Sequence, residues 1–404
     1  MSNGRVAAQA LALALAIGAV RTSAQQLDIP APGAEKRLGV LAFTPTVDFA
    51  IGTDSNVFNT PNQARSDVTW TLSPRATAAM HIGWARVTAK GTVDIVHFQQ
   101  YASESSVNPN GSIKLAVPLN RVQPWASVSF LRAKDRPNFE VDARSLRREG
   151  SVAAGVTVRL SGKTSIDVSH RVTDVAFDSS AVYYDTYLQD AFNRRTERSA
   201  LSVRHRLTPL TTMTMDVDQT DEHFHLTPVR DTTSIGVVPG FEFASSALIS
   251  GKASVGYRSF RALDPSMPNF EGAVASVELG YILLGSSRIT VTANRDVQYS
   301  YDLTAPYYLM TGGGGGVMQR VTDTLGISAR ASRYRLDYRS LTSLLGLGEV
   351  RSPDSVTVVG VGALYKLGRD LHVNLTVDYW GRLSSIDARE YSGAHSSVSI
   401  RYGF

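Results

Sequence analysis

The chain has 404 residues, no cysteine and a formal net charge of +5, and 19% of its residues are charged. The absence of cysteine excludes a disulfide framework, a thiolate metal site and a cysteine nucleophile. Lys and Arg number 41 against 36 Asp and Glu. They form no long basic run, so the composition excludes a nucleic-acid-binding arm.

The first residues have the pattern of an export signal. Arg5 precedes the apolar stretch 6–20, and Thr22-Ser23-Ala24 supplies the small residues that precede a signal-peptidase cleavage site. The alternative is a transmembrane anchor, but this stretch of about 15 residues is shorter than the roughly 20 that a membrane-spanning helix needs. We therefore predict a signal peptide at residues 1–24, cleaved after Ala24.

From about residue 41 to the end, apolar residues recur at every second position, which is the period of a β-strand. Between Leu371 and Tyr379 every odd position is apolar, and the even positions are His372, Asn374, Thr376 and Asp378. Collecting all such segments predicts about 18 strands, within a range of 16–18, and no amphipathic helix.

The connections between these strands alternate in length. Short turns such as Ser161-Gly162-Lys163 and Gly368-Arg369 alternate with long polar connections such as 134–148 and 177–193, apart from a briefer outer loop near 301–305. A bacterial outer-membrane barrel sorts its connections in this way, with short periplasmic turns and long extracellular loops. We predict an all-β fold, a single transmembrane antiparallel β-barrel over residues 41–404, preceded by a periplasmic segment at 25–40.

The last strand carries a specific signal. Val398, Ile400, Tyr402 and Phe404 form one apolar face that ends in a carboxy-terminal aromatic residue. This pattern resembles the C-terminal signal by which the insertion machinery recognises outer-membrane barrels. The alternative is a buried edge strand of a periplasmic protein, which the alternation of loop lengths disfavours.

The first mature residues resemble the opening of the putative β-barrel porin 2 family. The resemblance rests on Phe43-Thr44-Pro45-Thr46, Asp54-Ser55-Asn56-Val57-Phe58, Ser66-Asp67 and Leu72-Ser73-Pro74. Members are bacterial outer-membrane barrels, several of which accompany machinery that exports secreted polysaccharides. The resemblance therefore implies that the chain moves a polymer or a solute across the outer membrane.

Three functions follow as hypotheses. The first is a conduit in the export of a secreted or surface polysaccharide, the second a general or anion-preferring porin for small solutes, and the third a structural or adhesive barrel with a closed lumen. Expected partners are outer-membrane lipid and lipopolysaccharide, the barrel-insertion machinery and periplasmic polysaccharide-export proteins. We expect no cofactor and no nucleic acid.

A barrel of this size can hold an aqueous lumen, and strand parity identifies the face opposite the apolar stripe. Basic residues are in modest excess on that face, which favours anions weakly. The alternative is that these residues form ion pairs across strands and merely fill the interior. The candidates for lining the pore are Lys90, Asp94, Arg159, Asp167, Arg171, Arg204, Arg206, Asp216, Asp218, Lys252, Arg288, Arg330, Asp378 and Arg401.

Aromatic residues near strand ends are interpreted as interfacial girdles rather than as saccharide-stacking platforms. They are Tyr281, Tyr365, Tyr379, Trp380, Tyr402 and Phe404.

Three remaining features are weak signals. The stretch 216–225, with three Asp and two His, has no known metal spacing, and we assign its histidines to a solvated loop. Gly312–Gly316 stands where a strand is expected and either bends the wall, lets another group approach closely or forms a plain weak strand. Neither a Gly-x-Ser-x-Gly nor a His-Glu-x-x-His motif occurs, so we predict that the chain is not an enzyme.

Overall fold

The computed structural model describes residues 36–340 and 352–403. Within them, 18 long strands form one antiparallel sheet. The strands are β1 (Leu41–Asp54), β2 (Asp67–Ile82), β3 (Ala85–Phe98), β4 (Ser106–Ala116), β5 (Val122–Asp135), β6 (Ser145–Arg159), β7 (Thr164–Phe177), β8 (Arg194–Thr208), β9 (Thr211–Phe224), β10 (Thr232–Phe243), β11 (Ile249–Ala262), β12 (Phe270–Leu283), β13 (Ser287–Tyr299), β14 (Tyr307–Arg320), β15 (Leu325–Arg339), β16 (Asp354–Leu367), β17 (Leu371–Leu383) and β18 (Tyr391–Gly403).

The sheet closes on itself because its last strand pairs with its first. The β1–β18 register runs from Thr46 opposite Gly403 to Asp54 opposite His395. Closure gives every long strand a partner on both sides, so the paired backbone N–H and C=O groups of the wall are satisfied within the protein. A short strand, Lys36–Leu38, pairs with the beginning of β1 and extends the sheet at that rim.

The predicted alternation separates the two faces of the wall. Asp48 and Arg75 point into the barrel and form an ion pair, whereas Phe49 and Trp70 of the same two strands point outward and are exposed. Because register partners in adjacent strands share a face, this assignment carries around the whole barrel. The outer face consequently carries exposed apolar side chains such as Val128, Leu375 and Val398, which suits contact with lipid hydrocarbon, and the inner face carries polar ones.

Short and long connections occupy opposite rims, as predicted. We call the rim with short turns the turn rim and the opposite one the loop rim. Gly83, Gly285 and Gly368 lie in short turns with φ of +57°, +68° and +72°, a left-handed conformation that glycine adopts without a Cβ clash. Both the start of β1 and the end of β18 lie at the turn rim, as the even strand number requires.

The long connections carry small elements that periodicity does not predict. The 178–193 connection contains a two-stranded hairpin, Val182–Tyr183 with Thr186–Tyr187, and the short helix Leu188–Phe192. Within the described ranges 36–340 and 352–403, no helix is long and apolar enough to cross a membrane.

Strand ends differ from prediction at several places, among them the connection predicted at 134–148, where β5 continues to Asp135 and β6 begins at Ser145. β4 begins at Ser106, four residues before Asn110. Its first residues pair with β3 alone, because the β4–β5 pairing starts at Asn110. Pro109 has no backbone N–H to donate, and it lies just before the point where pairing with β5 begins. His223, assigned to a loop, lies in β9, which continues to Phe224 and pairs with Arg194 of β8.

Three of the four residues of the C-terminal motif are described. Val398, Ile400 and Tyr402 point outward and are each more than 40% exposed. Phe404 and the predicted signal peptide at residues 1–24 lie outside the described residues. The role of this motif in assembly stays a prediction.

Candidate functional site

The connection between β5 and β6 crosses the lumen, and we call residues 136–144 the crossbar. At its tip the ring of Phe139 stacks on Tyr334 of β15, with 4.5 Å between ring centroids and 26° between planes. β6 and β15 are nine strands apart in a barrel of 18, so this contact joins opposite walls. The crossbar therefore divides the lumen near the loop rim.

The glycine run of β14 makes room for this contact. A Cβ on Gly312 would come within 2.4 Å of the Arg333 carbonyl oxygen and 2.6 Å of the Tyr334 ring. A Cβ on Gly314 would come within 2.6 Å of the Ala331 carbonyl oxygen. Of the three interpretations of this run, the structure supports close approach, because Tyr334 lies against a wall without side chains and offers its ring to Phe139.

Local hydrogen bonds shape the crossbar. The Asn138 side chain accepts from the backbone N–H groups of Glu140 and Val141, at 2.8 and 2.7 Å. Arg136 donates to the Asp142 carbonyl oxygen at 2.8 Å and to the Val57 carbonyl oxygen at 2.7 Å. Asn side chains stabilise tight turns in this way, so the sequence itself favours a compact loop.

A buried ion network fixes the far end of the crossbar. Arg382 of β17 donates to the Asp142 carboxylate at 2.6 Å and to the Glu140 carbonyl oxygen at 2.8 Å, and it pairs with Asp354 of β16. Arg389 lies 3.5 Å from Asp354 and 3.8 Å from the Glu140 carboxylate. Two guanidinium groups thus hold three carboxylates, a pairing that buried charges require.

Glu140 ties the crossbar to the turn between β13 and β14. Its carboxylate accepts from the Ser300 hydroxyl at 2.7 Å and from the Tyr301 backbone N–H at 3.0 Å. Complete burial raises the pKa of this carboxyl to about 6, although Arg389 nearby favours the charged form. Glu140 is therefore a titratable contact between two loops.

The β13–β14 tip also turns into the lumen. Pairing between β12 and β13 stops at Arg295, whereas β13 and β14 stay paired as far as Tyr299 and Tyr307. Beyond Arg295 the tip packs on Phe139 with one face and on Phe260 with the other. The segment 301–305, predicted as an outer loop, lies inside the barrel instead. Once β13 separates from β12, the β13–β14 tip is free to turn inward and to bury both of its faces.

Arg230, in the 225–231 loop, clamps this tip. Its guanidinium donates to the carbonyl oxygens of Ser300 and Pro306, at 2.7 and 2.5 Å, one at each end of the turn. Burial lowers the pKa of Arg230 to about 10, so it remains a cation at neutral pH. Its guanidinium also makes cation–π contacts with Phe224 and Tyr299, whose ring centroids lie 5.1 and 6.0 Å from the guanidinium carbon.

A cavity of about 90 Å³ remains between the crossbar and the β6–β13 wall. Three ion pairs line it. They are Arg147 with Glu149 at 2.7 Å, Arg194 with Glu222 at 2.8 Å and Arg258 with Asp296 at 3.3 Å. This volume accommodates several water molecules. The lining of this cavity is therefore charged but electrically balanced.

The turn-rim end of the inner wall has a different charge. We call the inward-facing side chains among the four strand residues nearest the turn rim the vestibule. Nine of its side chains are basic and two are acidic. The basic residues are Arg86, Lys114, Arg159, Arg206, Lys252, Arg288, Arg320, Lys366 and Arg401, and the acidic residues are Asp167 and Glu242.

Several vestibule contacts leave the positive charge in place. Arg206 donates to the Gly162 carbonyl oxygen at 2.7 Å, and Arg320 donates to the Gly285 carbonyl oxygen at 2.9 Å. Both acceptors are neutral. The Lys114 ammonium lies 4.5 Å from the Trp125 ring centroid. Such a mouth attracts anions, because one sign of charge concentrated in a confined space focuses the field.

All fourteen residues predicted to line a pore point to the inner face of the wall. The register brings some of them together, including Arg330 with Asp378 at 2.6 Å, and it separates others between the vestibule and the middle of the wall. Asp218 pairs with Arg198 at 3.1 Å, so part of the set forms the interior ion pairs of the alternative interpretation. Whether the set lines a conducting path stays a prediction. The positions follow from the registers of Lys90, Asp94, Arg159, Asp167, Arg171, Arg204, Arg206, Asp216, Asp218, Lys252, Arg288, Arg330, Asp378 and Arg401.

The alternation along the strands also decides two further predictions, the Asp/His stretch 216–225 and the girdle residue Trp380. Asp216 and Asp218 point inward, whereas Asp221 and His223 of the same strand point outward, so the cluster is divided between the two faces of the wall. Trp380, predicted as a girdle residue, points inward and packs on the Phe139 cluster, and that prediction was wrong. Its neighbour Tyr379 points outward and is 51% exposed.

Sequence reasoning missed the residues that fix the crossbar. Glu140, Asp142 and Arg389 lie outside the strands, and their segments have no periodic pattern that would indicate which way a side chain points. Arg382 lies on the polar face of β17, two strand repeats beyond Asp378, so extending the alternation would have found it. Nothing in the sequence pairs these residues with one another.

Comparisons with known proteins agree with this architecture. The family model described as putative beta-barrel porin 2 matches residues 33–404. No curated protein sequence matches the chain significantly. The fold resembles a BenF-like porin from Pseudomonas fluorescens Pf-5, with a TM-score of 0.54 and 9% identity over 90% of this chain and 99% of that one.

A second similar structure is the outer membrane protein OpdK of Pseudomonas aeruginosa. Its TM-score is 0.51 at 9% identity, over 90% of this chain and 98% of that one. The structure of OpdK with vanillate gives 0.52 at 8% identity, over 91% of this chain and all of that one. At these identities the likeness concerns the fold. The family match covers nearly the whole chain, and the protein therefore belongs to the putative β-barrel porin 2 family, as a porin of the bacterial outer membrane.

Proposed function

We propose that this porin is a passive channel for small solutes with a weak preference for anions. The observation that carries the proposal is the division of the lumen by the crossbar above a vestibule with nine cations and two carboxylates. The crossbar limits the size of what passes, and the vestibule favours negative charge.

The packing near the loop rim limits the size of a solute that can pass. The crossbar and the β13–β14 tip together leave a cavity of about 90 Å³ beside the wall. We propose that small hydrated solutes pass between the crossbar and the wall on this side of the lumen. A polymer chain would need the crossbar to leave the Arg382 network, so the polysaccharide-export hypothesis draws no support from this arrangement.

The route of biogenesis is part of the proposal. We expect export by the signal peptide at residues 1–24 and recognition of the C-terminal motif by the barrel-insertion machinery. We also expect the aromatic side chains that point outward, such as Tyr365 and Tyr402, to contact lipid and lipopolysaccharide.

Conductance in planar bilayers tests the proposal. The purified protein should give stepwise currents without any partner, and a KCl gradient should give a reversal potential of the sign for chloride preference. The double variant Arg206→Gln/Arg320→Gln should shift that potential toward zero, and the matched control Arg195→Gln, which lies on the outer face, should not. A closed structural barrel would give no current in any of these variants, which would contradict the proposal.

A further inference from the structure

Three adjacent strands bring Lys366, His372 and Arg401 into one row inside the vestibule. Lys366 of β16 is the register partner of His372 of β17, and His372 is in turn the register partner of Arg401 of β18. Register partners on one face have Cβ atoms about 5 Å apart. We call these three residues the cation row.

Among the described residues, one carboxylate forms an ion pair with the cation row, that of Asp48. Arg401 donates to both carboxylate oxygens of Asp48, at 2.6 and 3.1 Å. The same carboxylate lies 3.2 Å from the guanidinium of Arg75. One carboxylate is therefore shared by two guanidinium groups, and the charge of Lys366 adds to the excess.

His372 provides a second, independent observation, a buried polar atom that could bind a ligand. His372 is nine-tenths buried between the two cations, and its Nδ1 atom has no hydrogen-bond partner within the part of the chain that the structure describes. Burying a polar atom without a partner costs free energy unless a water molecule or a ligand satisfies it. An imidazole beside two cations can also accept a proton when an anion arrives and offsets the repulsion.

We infer that the cation row is a binding site for small anions with two or more negative charges, at the periplasmic mouth of the channel. The inference rests on the proposed function for its role: the site holds multivalent anions where they enter or leave the lumen. Because the row lies on the inner face, lipid headgroups do not reach it through the wall. Multivalent anions bind such a row better than chloride because the attraction scales with their charge.

Pyrophosphate is the probe that tests the site. A single cysteine, Ser266→Cys in an exposed loop, accepts a bulky thiol reagent from one compartment and so reports the orientation of each channel. Pyrophosphate added on the turn-rim side should reduce the chloride current at lower concentration than on the loop-rim side. Lys366→Gln should raise the half-blocking concentration about tenfold at low salt, and Arg195→Gln should leave it unchanged.

Binding measured by calorimetry in detergent separates this inference from the proposed function. If no current is seen but wild-type protein binds pyrophosphate and Lys366→Gln binds it about tenfold more weakly, the site stands and the channel function fails. His372→Gln, which keeps a polar side chain, provides a second variant and should also weaken binding. Equal block from both sides, or equal binding by wild type and Lys366→Gln, would overturn the inference.

Discussion

Replacing Arg382 with methionine should release the crossbar without unfolding the barrel. The substitution keeps an unbranched side chain and removes the cation that joins Asp142 to Asp354. Removing one partner of a buried ion pair costs about 3–5 kcal/mol, because the remaining charges stay buried and unpaired. Undocking the crossbar relieves that cost by exposing Asp142 to water.

The size of this energy cost determines how often the crossbar should undock. A change of 3–5 kcal/mol shifts the ratio of undocked to docked crossbar by about two to three and a half orders of magnitude. Single channels of Arg382→Met should therefore show frequent transitions to a larger conductance that wild-type channels show rarely. The matched control is Arg261→Met, which removes an exposed pair with Glu271 (65% and 49% exposed) and should change stability by less than about 1 kcal/mol.

Heat-modifiable migration on gels checks that the variant is a folded barrel, since closure of the wall does not use Arg382. If Arg382→Met fails to insert, Asp142→Asn tests the same link and leaves Arg382 paired with Asp354. Current traces indistinguishable from wild type in both folded variants would refute the assignment of this network as the crossbar anchor.

The remaining predictions concern pH, packing and orientation. The docked state holds the pKa of Glu140 at about 6, against an ordinary value of 4.5. Docking of the crossbar is therefore strongest below pH 4.5 and weakens by about 2 kcal/mol as the pH rises through 6. Channel noise should increase over this pH range in wild type and not in Glu140→Gln. Gly312→Ala should lower the thermal stability of the barrel by about 1–3 kcal/mol, as heat-modifiability against temperature would record. Gly150→Ala should not, because a Cβ there would meet no atom of the described residues within 4 Å. In single-tryptophan variants, brominated lipid should quench Trp70 but not Trp380; quenching of both would contradict the inward placement of Trp380.

The wall of the barrel was predictable because its chemistry repeats every two residues. Each strand must place apolar side chains toward lipid and polar ones toward water, so the sequence records the face of residues such as Lys90 and Asp378 directly. The same rule exposes the error at Trp380: it follows Tyr379 in one strand, and consecutive residues cannot both face lipid.

The interior near the loop rim was not predictable because it depends on contacts between segments far apart in the chain. The Glu140 carboxylate meets Ser300, 160 residues away, and Arg382 meets Asp142 at a separation of 240. Neither pair is marked by spacing or motif. Only closure of the wall brings these residues together, and a single sequence carries no signal of which loop turns inward.

Solute uptake by proteoliposomes tests the central claim most directly. The account predicts that liposomes containing this porin swell in the small sugar arabinose and more slowly in larger oligosaccharides, without any partner protein. It also predicts that Arg382→Met raises the rate for the larger sugars. No swelling in arabinose would contradict the claim that a small-solute path runs beside the crossbar, and equal rates for all sugars in wild type would contradict the claim that the crossbar limits it.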